Sequence, residues 1–133
     1  MIQLSKRLNA VAELLVHGID QLELEQPVLA DIGTDHAYLP VYLVQKKVVK
    51  KAYAADVRKG PLLHAKEHIE QYGLGEYIQT RLSDGGGSFV PGESEVAVIA
   101  GMGGGLMQKI LSGSPEFFEK NSCVVLQPQS EIE

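Results

Sequence analysis

Apolar residues recur at Leu4, Leu8, Val11 and Leu15, the spacing of one helix face. They predict an amphipathic helix over residues 4–17, with Ser5 as its N-cap and Gly18 as its stop. The next apolar run is of another kind. Pro27–Gly33 (Pro-Val-Leu-Ala-Asp-Ile-Gly) shows no alternation, as expected of a strand buried on both faces. A helix is predicted after it over Tyr38–Lys47, with Pro40 in the first turn, where proline is tolerated. The alternation then repeats. Ala52–Asp56 is strand-like; Pro61 opens a helix whose inner face is Leu62, Ala65, Ile69 and Tyr72, and Gly73 closes it. A third strand is predicted over Tyr77–Leu82 and a fourth over Glu95–Ala100. A helix from Leu106 to Leu111 and a fifth strand over Ser122–Leu126 complete the series. Such alternation implies right-handed crossovers and a parallel sheet covered on both faces. The expected fold is α/β, a Rossmann-like doubly wound parallel sheet.

The chain has 133 residues, the size of one domain, with hydrophobic and charged fractions near globular averages. No apolar run reaches the ~20 residues of a membrane span, and no leader pattern precedes residue 10, so a soluble, cytoplasmic protein with no membrane association is expected. One cysteine, Cys123, cannot form an internal disulfide. The net charge of −5 excludes a generally basic nucleic-acid coat but not a local basic patch. Glycine changes the picture more. Eight of the 14 glycines lie between Gly85 and Gly105, where flanking apolar runs argue for tight turns at a sheet edge close to a ligand rather than for a linker.

Ligands of doubly wound sheets bind beyond the carboxyl ends of the strands. Those ends here carry Asp31 with Gly33-Thr34-Asp35-His36, then Asp56, then Ser83-Asp84-Gly85, then Gly101-Met102-Gly103-Gly104. Three consecutive strands end in aspartate. Asp56 follows Gly33 by 23 residues, close to the ~20 expected of a carboxylate that grips ribose hydroxyls. Asp84 is then placed to accept from an adenine amino group. The glycine fingerprint for a pyrophosphate is missing, since Asp35 stands where a second glycine belongs and its charge opposes phosphate. A nucleoside cofactor with a cationic centre fits better, and S-adenosylmethionine is such a molecule. An NAD(P)-dependent oxidoreductase and a non-catalytic nucleoside-binding module remain the alternatives.

Four strings carry a more specific signal: Leu4-Ser5-Lys6-Arg7-Leu8, Ala30 to Pro40 (Ala-Asp-Ile-Gly-Thr-Asp-His-Ala-Tyr-Leu-Pro), Ile99 to Gly104, and Leu126-Gln127-Pro128. Together they resemble the TrmK family, bacterial methyltransferases that act on N1 of adenine 22 in tRNA. The resemblance implies a class I methyltransferase fold, S-adenosyl-L-methionine as cofactor and tRNA as partner. By position it implies Asp31 and Gly33 in the cofactor loop, Asp56 on the ribose, and Ser83 and Asp84 at the adenine. Gly101 and Met102 fall in the stretch where many amino-methylating relatives carry an Asn-Pro-Pro-Tyr type motif. Asp56 replaces a glutamate common in the family, a change that keeps the chemistry. Family members continue with two further strands and a C-terminal helical domain. On that resemblance residues 1–133 are the S-adenosylmethionine-binding domain, C-terminally truncated, and self-association through an exposed fifth strand is expected.

Attack of adenine N1 on a sulfonium methyl leaves positive charge on the ring, which a nearby carboxylate stabilises. Asp35 is the catalytic residue expected for that role, with N-capping of the Tyr38 helix as its structural alternative. His36 and Tyr38 are expected to stack on or orient the adenine, with a packed wall as the structural alternative. His64 and His68 have a metal-ligand spacing, but without a third ligand they read as a solvated helix face, and no metal is expected. Cys123 reads as small core. Lys46, Lys47, Lys50 and Lys51 read as favouring a helix C-terminus, or, with Lys6 and Arg7, as a phosphate-contacting patch.

Overall fold

The computed structural model describes residues 2–129. Five parallel strands form one sheet: β1 (Val28–Ile32), β2 (Lys51–Asp56), β3 (Ile78–Leu82), β4 (Val96–Met102) and β5 (Cys123–Pro128). Their order is β3-β2-β1-β4-β5. Helices α1 (Lys6–Gln21), α2 (Tyr38–Gln45) and α3 (Lys59–Gln71) cover one face, and α4 (Gly104–Gly113) and α5 (Pro115–Lys120) the other.

Side-chain alternation along the strands builds a core on each face. Leu29, Ala52, Ala54, Val96 and Val98 point to one side and meet Val11 and Leu15 of α1, Val41 and Leu43 of α2, and Ala65 and Ile69 of α3. Ala30, Ile32, Tyr53, Ala55, Ala97 and Ile99 point to the other and meet Met107, Phe117 and Phe118. Both faces are apolar because both are covered, hence the unbroken hydrophobic runs in the sequence.

Four expectations are corrected. Ser5 caps α1 by accepting from the Leu8 amide, but the helix runs through Gly18 to Gln21. A Cβ at Gly18 would lie 2.8 Å from Cys123 Sγ, so the glycine permits close approach of helix to sheet instead of ending the helix. Cys123 opens β5 and is half-buried at the margin of the core rather than within it; burial pushes its thiol pKa up. Helix α4 is longer than expected, and α5, with Pro115 at its start, was not expected at all. Asp35 does not cap α2: the cap position is Ala37, in a left-handed conformation.

Strand order reverses between β1 and β4, since the chain leaves β1 towards β2 and later returns to β1's other side. The loops after these two strands therefore diverge and leave a crevice at the carboxyl end of the sheet.

Candidate functional site at the carboxyl end of the sheet

The loop after β1 is pinned to β2 by two amides, Gly33 N and Thr34 N, which both donate to the Ala55 carbonyl at 2.9 and 2.8 Å. Gly33 has φ +78° and Gly101, at the irregularity near the end of β4, φ +77°, so both points use backbone that side chains rarely adopt. Beyond Gly33 the path stays contorted. Asp35 (φ 60°) and Ala37 (φ 62°) are left-handed without being glycine. Strain of this kind concentrates at functional sites.

Two adjoining cavities occupy the crevice and share Arg7, Gly33, Asp35 and Ala100. The one of about 240 Å³ lies under α1 and is lined by Asp31, Thr34, Tyr38 and Ser5 as well. The other, about 370 Å³, is lined by Asp56, Ser83, Asp84, Gly101 and Met102, with Leu106 and Ile110 of α4 as apolar wall. The structure thus brings together Asp31, Gly33, Asp35, Tyr38, Asp56, Ser83, Asp84, Gly101 and Met102. His36 instead turns towards α3.

The acids differ in environment. Asp31 is 4% exposed and accepts from the Thr34 hydroxyl at 2.9 Å. Burial pushes its carboxyl up from 3.8 to about 7, opposed by that hydrogen bond and aided by the Asp56 charge. Asp56, also buried, accepts from the Arg58 amide at 3.0 Å and the Asp35 amide at 3.3 Å. Asp35 is open, its side chain 63% exposed, with His36 Nδ1 at 3.3 Å from Oδ1. The Ser83 hydroxyl donates to the Gly85 carbonyl at 2.7 Å and accepts from the Ser88 amide at 3.1 Å. It shapes the glycine-rich loop, and Asp84 at the rim is the acid that this loop presents.

That loop is clamped from outside. Arg81 meets Glu93 with two nitrogens at 2.7 and 2.8 Å and lies over the rings of Tyr53 and Phe89 at 4.4 and 4.7 Å. The paired hydrogen bonds hold the Glu93 carboxyl below its ordinary range and push Arg81 up.

Arg7 is the functional candidate whose place the sequence did not disclose. From α1 it reaches across to the sheet, donates to Gln127 Oε1 at 3.2 Å and packs against Gly101, where a Cβ would lie 3.1 Å from Nη1. Gln127 Oε1 also accepts from the Gly101 amide at 3.2 Å, so one glutamine sets both groups. Arg7 is thereby separated from the lysines with which the sequence reading grouped it. Lys50 and Lys51 sit where β2 begins, at the opposite end of the parallel sheet.

His64 and His68 are not simply a solvated face: both join His36 and Tyr38 in a ring cluster. Among the described residues no group of three or more His, Cys, Asp or Glu side chains is disposed to hold a metal ion. Nor is any described helix long and apolar enough to cross a membrane.

A doubly wound α/β domain with acids from three strands around a crevice at its topological switch point defines a nucleoside-binding domain of the Rossmann-like class. Residues 4–133 match the family model described as "Methyltransferase domain", and the chain belongs to that family. It is 39% identical over 127 residues to the tRNA (adenine(22)-N(1))-methyltransferase of Bacillus subtilis, covering 96% of this chain and 50% of that protein. A Streptococcus pneumoniae structure described as a putative tRNA (m1A22) methyltransferase in complex with S-adenosyl-L-methionine superposes with a TM-score of 0.85 at 36% identity, covering 97% of this chain and 57% of that one. The M. capricolum TrmK structure with S-adenosyl-homocysteine gives 0.79 at 33% identity, covering 98% and 54%. The chain spans about half the length of the curated relatives it matches. These likenesses bear out the class I methyltransferase fold.

Proposed function

We propose that the chain is the S-adenosylmethionine-binding part of an enzyme that methylates N1 of an adenine in tRNA. The observation that carries this reading is the convergence of Asp31, Asp35, Asp56 and Asp84 with Arg7 on two joined cavities at the switch point. The residues fit the cofactor group by group. Asp56 accepts the ribose hydroxyls, Asp84 the adenine amino group, and Leu106 and Ile110 flank the base. The zwitterionic amino-acid end has matching charges in the cavity under α1: Asp31 for the ammonium and Arg7 for the carboxylate.

When bound, the cofactor supplies an electrophilic methyl on a sulfonium. The N1 lone pair of neutral adenine needs no general base. As the N1–carbon bond forms and the carbon–sulfur bond breaks, positive charge passes from sulfur to the ring and spreads to N6. Asp35, open at the mouth of both cavities, stabilises that charge where it develops. Tyr38, which lines the cavity under α1, walls the target base, whereas His36 faces α3. The curated relative from Bacillus subtilis, named for tRNA adenine N1, supports this choice of substrate, and with it a cytoplasmic location. β3 and β5 are the edge strands among those described, and the edge of β5 is where a second copy pairs; a monomer by light scattering contradicts that pairing.

The test is methylation of unmodified tRNA, with the product mapped by primer extension. A reverse-transcription stop at a single adenine, dependent on S-adenosylmethionine, is the expected result. Because the chain spans half of its relatives, the assay includes a chimera with the remainder of the Bacillus subtilis protein. A chimera that binds cofactor yet leaves tRNA unmodified overturns the reading.

A further inference from the structure

Four rings gather where the loop after β1 meets α3. His36 is central: its centroid lies 5.4 Å from that of Tyr38 with 19° between the planes, 5.1 Å from His64 and 5.6 Å from His68. Tyr38 and His68 close the group at 4.9 Å. Nothing in the cofactor cavity requires His64 or His68, which stand on another element.

The cluster is held in place by the backbone. The left-handed residues Asp35 and Ala37 on either side of His36 turn it out of the crevice. His68 Nδ1 lies 2.9 Å from the His36 carbonyl, which only accepts. His68 therefore carries a proton on Nδ1 and keeps its Nε2 edge for another partner. The rings stay accessible. Tyr38 is 37% exposed, and the side chains of His36 and His64 are 35% and 61% exposed. A purely structural staple between loop and helix would bury its rings; this one presents flat faces at the surface.

Position gives the faces a use. His36 adjoins Asp35, and Tyr38 lines the cavity under α1, so the ring surface is continuous with the site. Two acids flank it: Asp35 beside His36, and Glu67, whose Oε1 is 3.6 Å from His64 Nδ1. Carboxylates on both sides disfavour phosphate and leave the uncharged face of a base as the fitting ligand. We propose that His36, Tyr38, His64 and His68 form a stacking seat for an RNA nucleobase next to the one methylated. The inference rests on the function proposed above and extends it to substrate recognition. Imidazole and phenol rings stack on any base face, so the seat holds an unpaired nucleotide without reading its identity.

The test uses His64, the most open ring, which lies outside the cofactor site. A single-stranded oligoadenylate RNA with one 2-aminopurine is titrated with the parent chain, His64→Ala and His64→Phe. S-adenosylhomocysteine affinity is measured in parallel by calorimetry. Loss of one stacking ring should weaken RNA binding by about 5- to 100-fold and reduce quenching of the 2-aminopurine. His64→Phe should restore both, and cofactor affinity should be the same in all three proteins. RNA affinity unchanged in His64→Ala, no restoration by phenylalanine, or a parent chain that does not bind the oligonucleotide each overturns the inference. Absent S-adenosylhomocysteine binding with the RNA pattern intact contradicts the methyl-transfer reading alone.

Discussion

The Asp35 amide donates to the Asp56 carboxylate at 3.3 Å, so the acid that ends β2 also fixes the loop that follows β1. The bond spans two neighbouring strands and ties the residue proposed for chemistry to the residue proposed for the cofactor. Asp56 holds the Arg58 amide with its other oxygen, at 3.0 Å. Arg58 Nε approaches that oxygen at 3.4 Å; a carboxylate still has acceptor sites beyond these, which we assign to the ribose hydroxyls.

Asp56→Ala removes the ribose acceptor and loosens the Asp35 loop together. Losing a hydrogen bond to a charged group costs about 1.5–3 kcal/mol, so S-adenosylhomocysteine should bind at least tenfold more weakly by calorimetry. Unchanged affinity would show that Asp56 serves only the loop.

Asp35→Asn separates chemistry from structure. Asp35 makes no cap for α2, whose cap position is Ala37, and asparagine tolerates left-handed backbone well. Thermal stability should barely move, and cofactor affinity should fall less than in Asp56→Ala. Methyl transfer in the chimera should drop by about two or more decades, the weight of one electrostatic stabiliser. Near-normal turnover would remove Asp35 from the mechanism.

Asp31 sets a pH dependence whose sign follows from its burial. Its folded pKa is near 7 and its unfolded value is 3.8, so the folded chain holds a proton between those values that the unfolded chain has lost. Stability therefore falls as pH rises from about 4 to 7, then levels off, at about 1.4 kcal/mol per pH unit across the slope. Asp31→Asn removes this cost and keeps an acceptor for Thr34. Its stability advantage should grow by roughly 2–3 kcal/mol between pH 5 and pH 8 in denaturant unfolding, while cofactor affinity at pH 8 falls. An advantage that is equal at both pH values contradicts the burial argument.

Strand positions were legible because a sheet covered on both faces writes itself as unbroken apolar runs, as at Ala52–Ala55 and Val96–Ile99. The acids at strand ends followed from those positions alone, and the structure gathers all of them. What stayed hidden depends on packing between distant segments. Gly18 looks like a helix stop until Cys123 is seen beside it. Arg7 lies 120 residues from Gln127, and only the docking of α1 alongside β5 brings the two together. The string around Arg7 that carried the family resemblance marked it without giving its place. The ring cluster needs both α3 and the strained loop, and a spacing of four between His64 and His68 does not disclose His36. Helix α5 is six residues long, too short for periodicity to show.

Arg7 gives the clearest check on the cavity under α1. Arg7→Lys keeps the charge but loses the planar fork, and Arg7→Met keeps neither. S-adenosylhomocysteine affinity should fall in both, more in Arg7→Met. Affinity for decarboxylated S-adenosylhomocysteine, which lacks the group proposed for Arg7, should fall in neither. Equal losses for the two ligands would assign Arg7 a structural role through Gly101 and Gln127 instead.

The central claim is that the crevice between β1 and β4 holds S-adenosylmethionine, with Asp56 on the ribose. Calorimetric titration of the chain with S-adenosylhomocysteine, beside NAD and beside the Asp56→Ala variant, tests it most directly. The account predicts one site per chain for S-adenosylhomocysteine, no measurable heat from NAD, and at least tenfold weaker binding in the variant. Binding of NAD in preference, or S-adenosylhomocysteine affinity indifferent to Asp56, would contradict it.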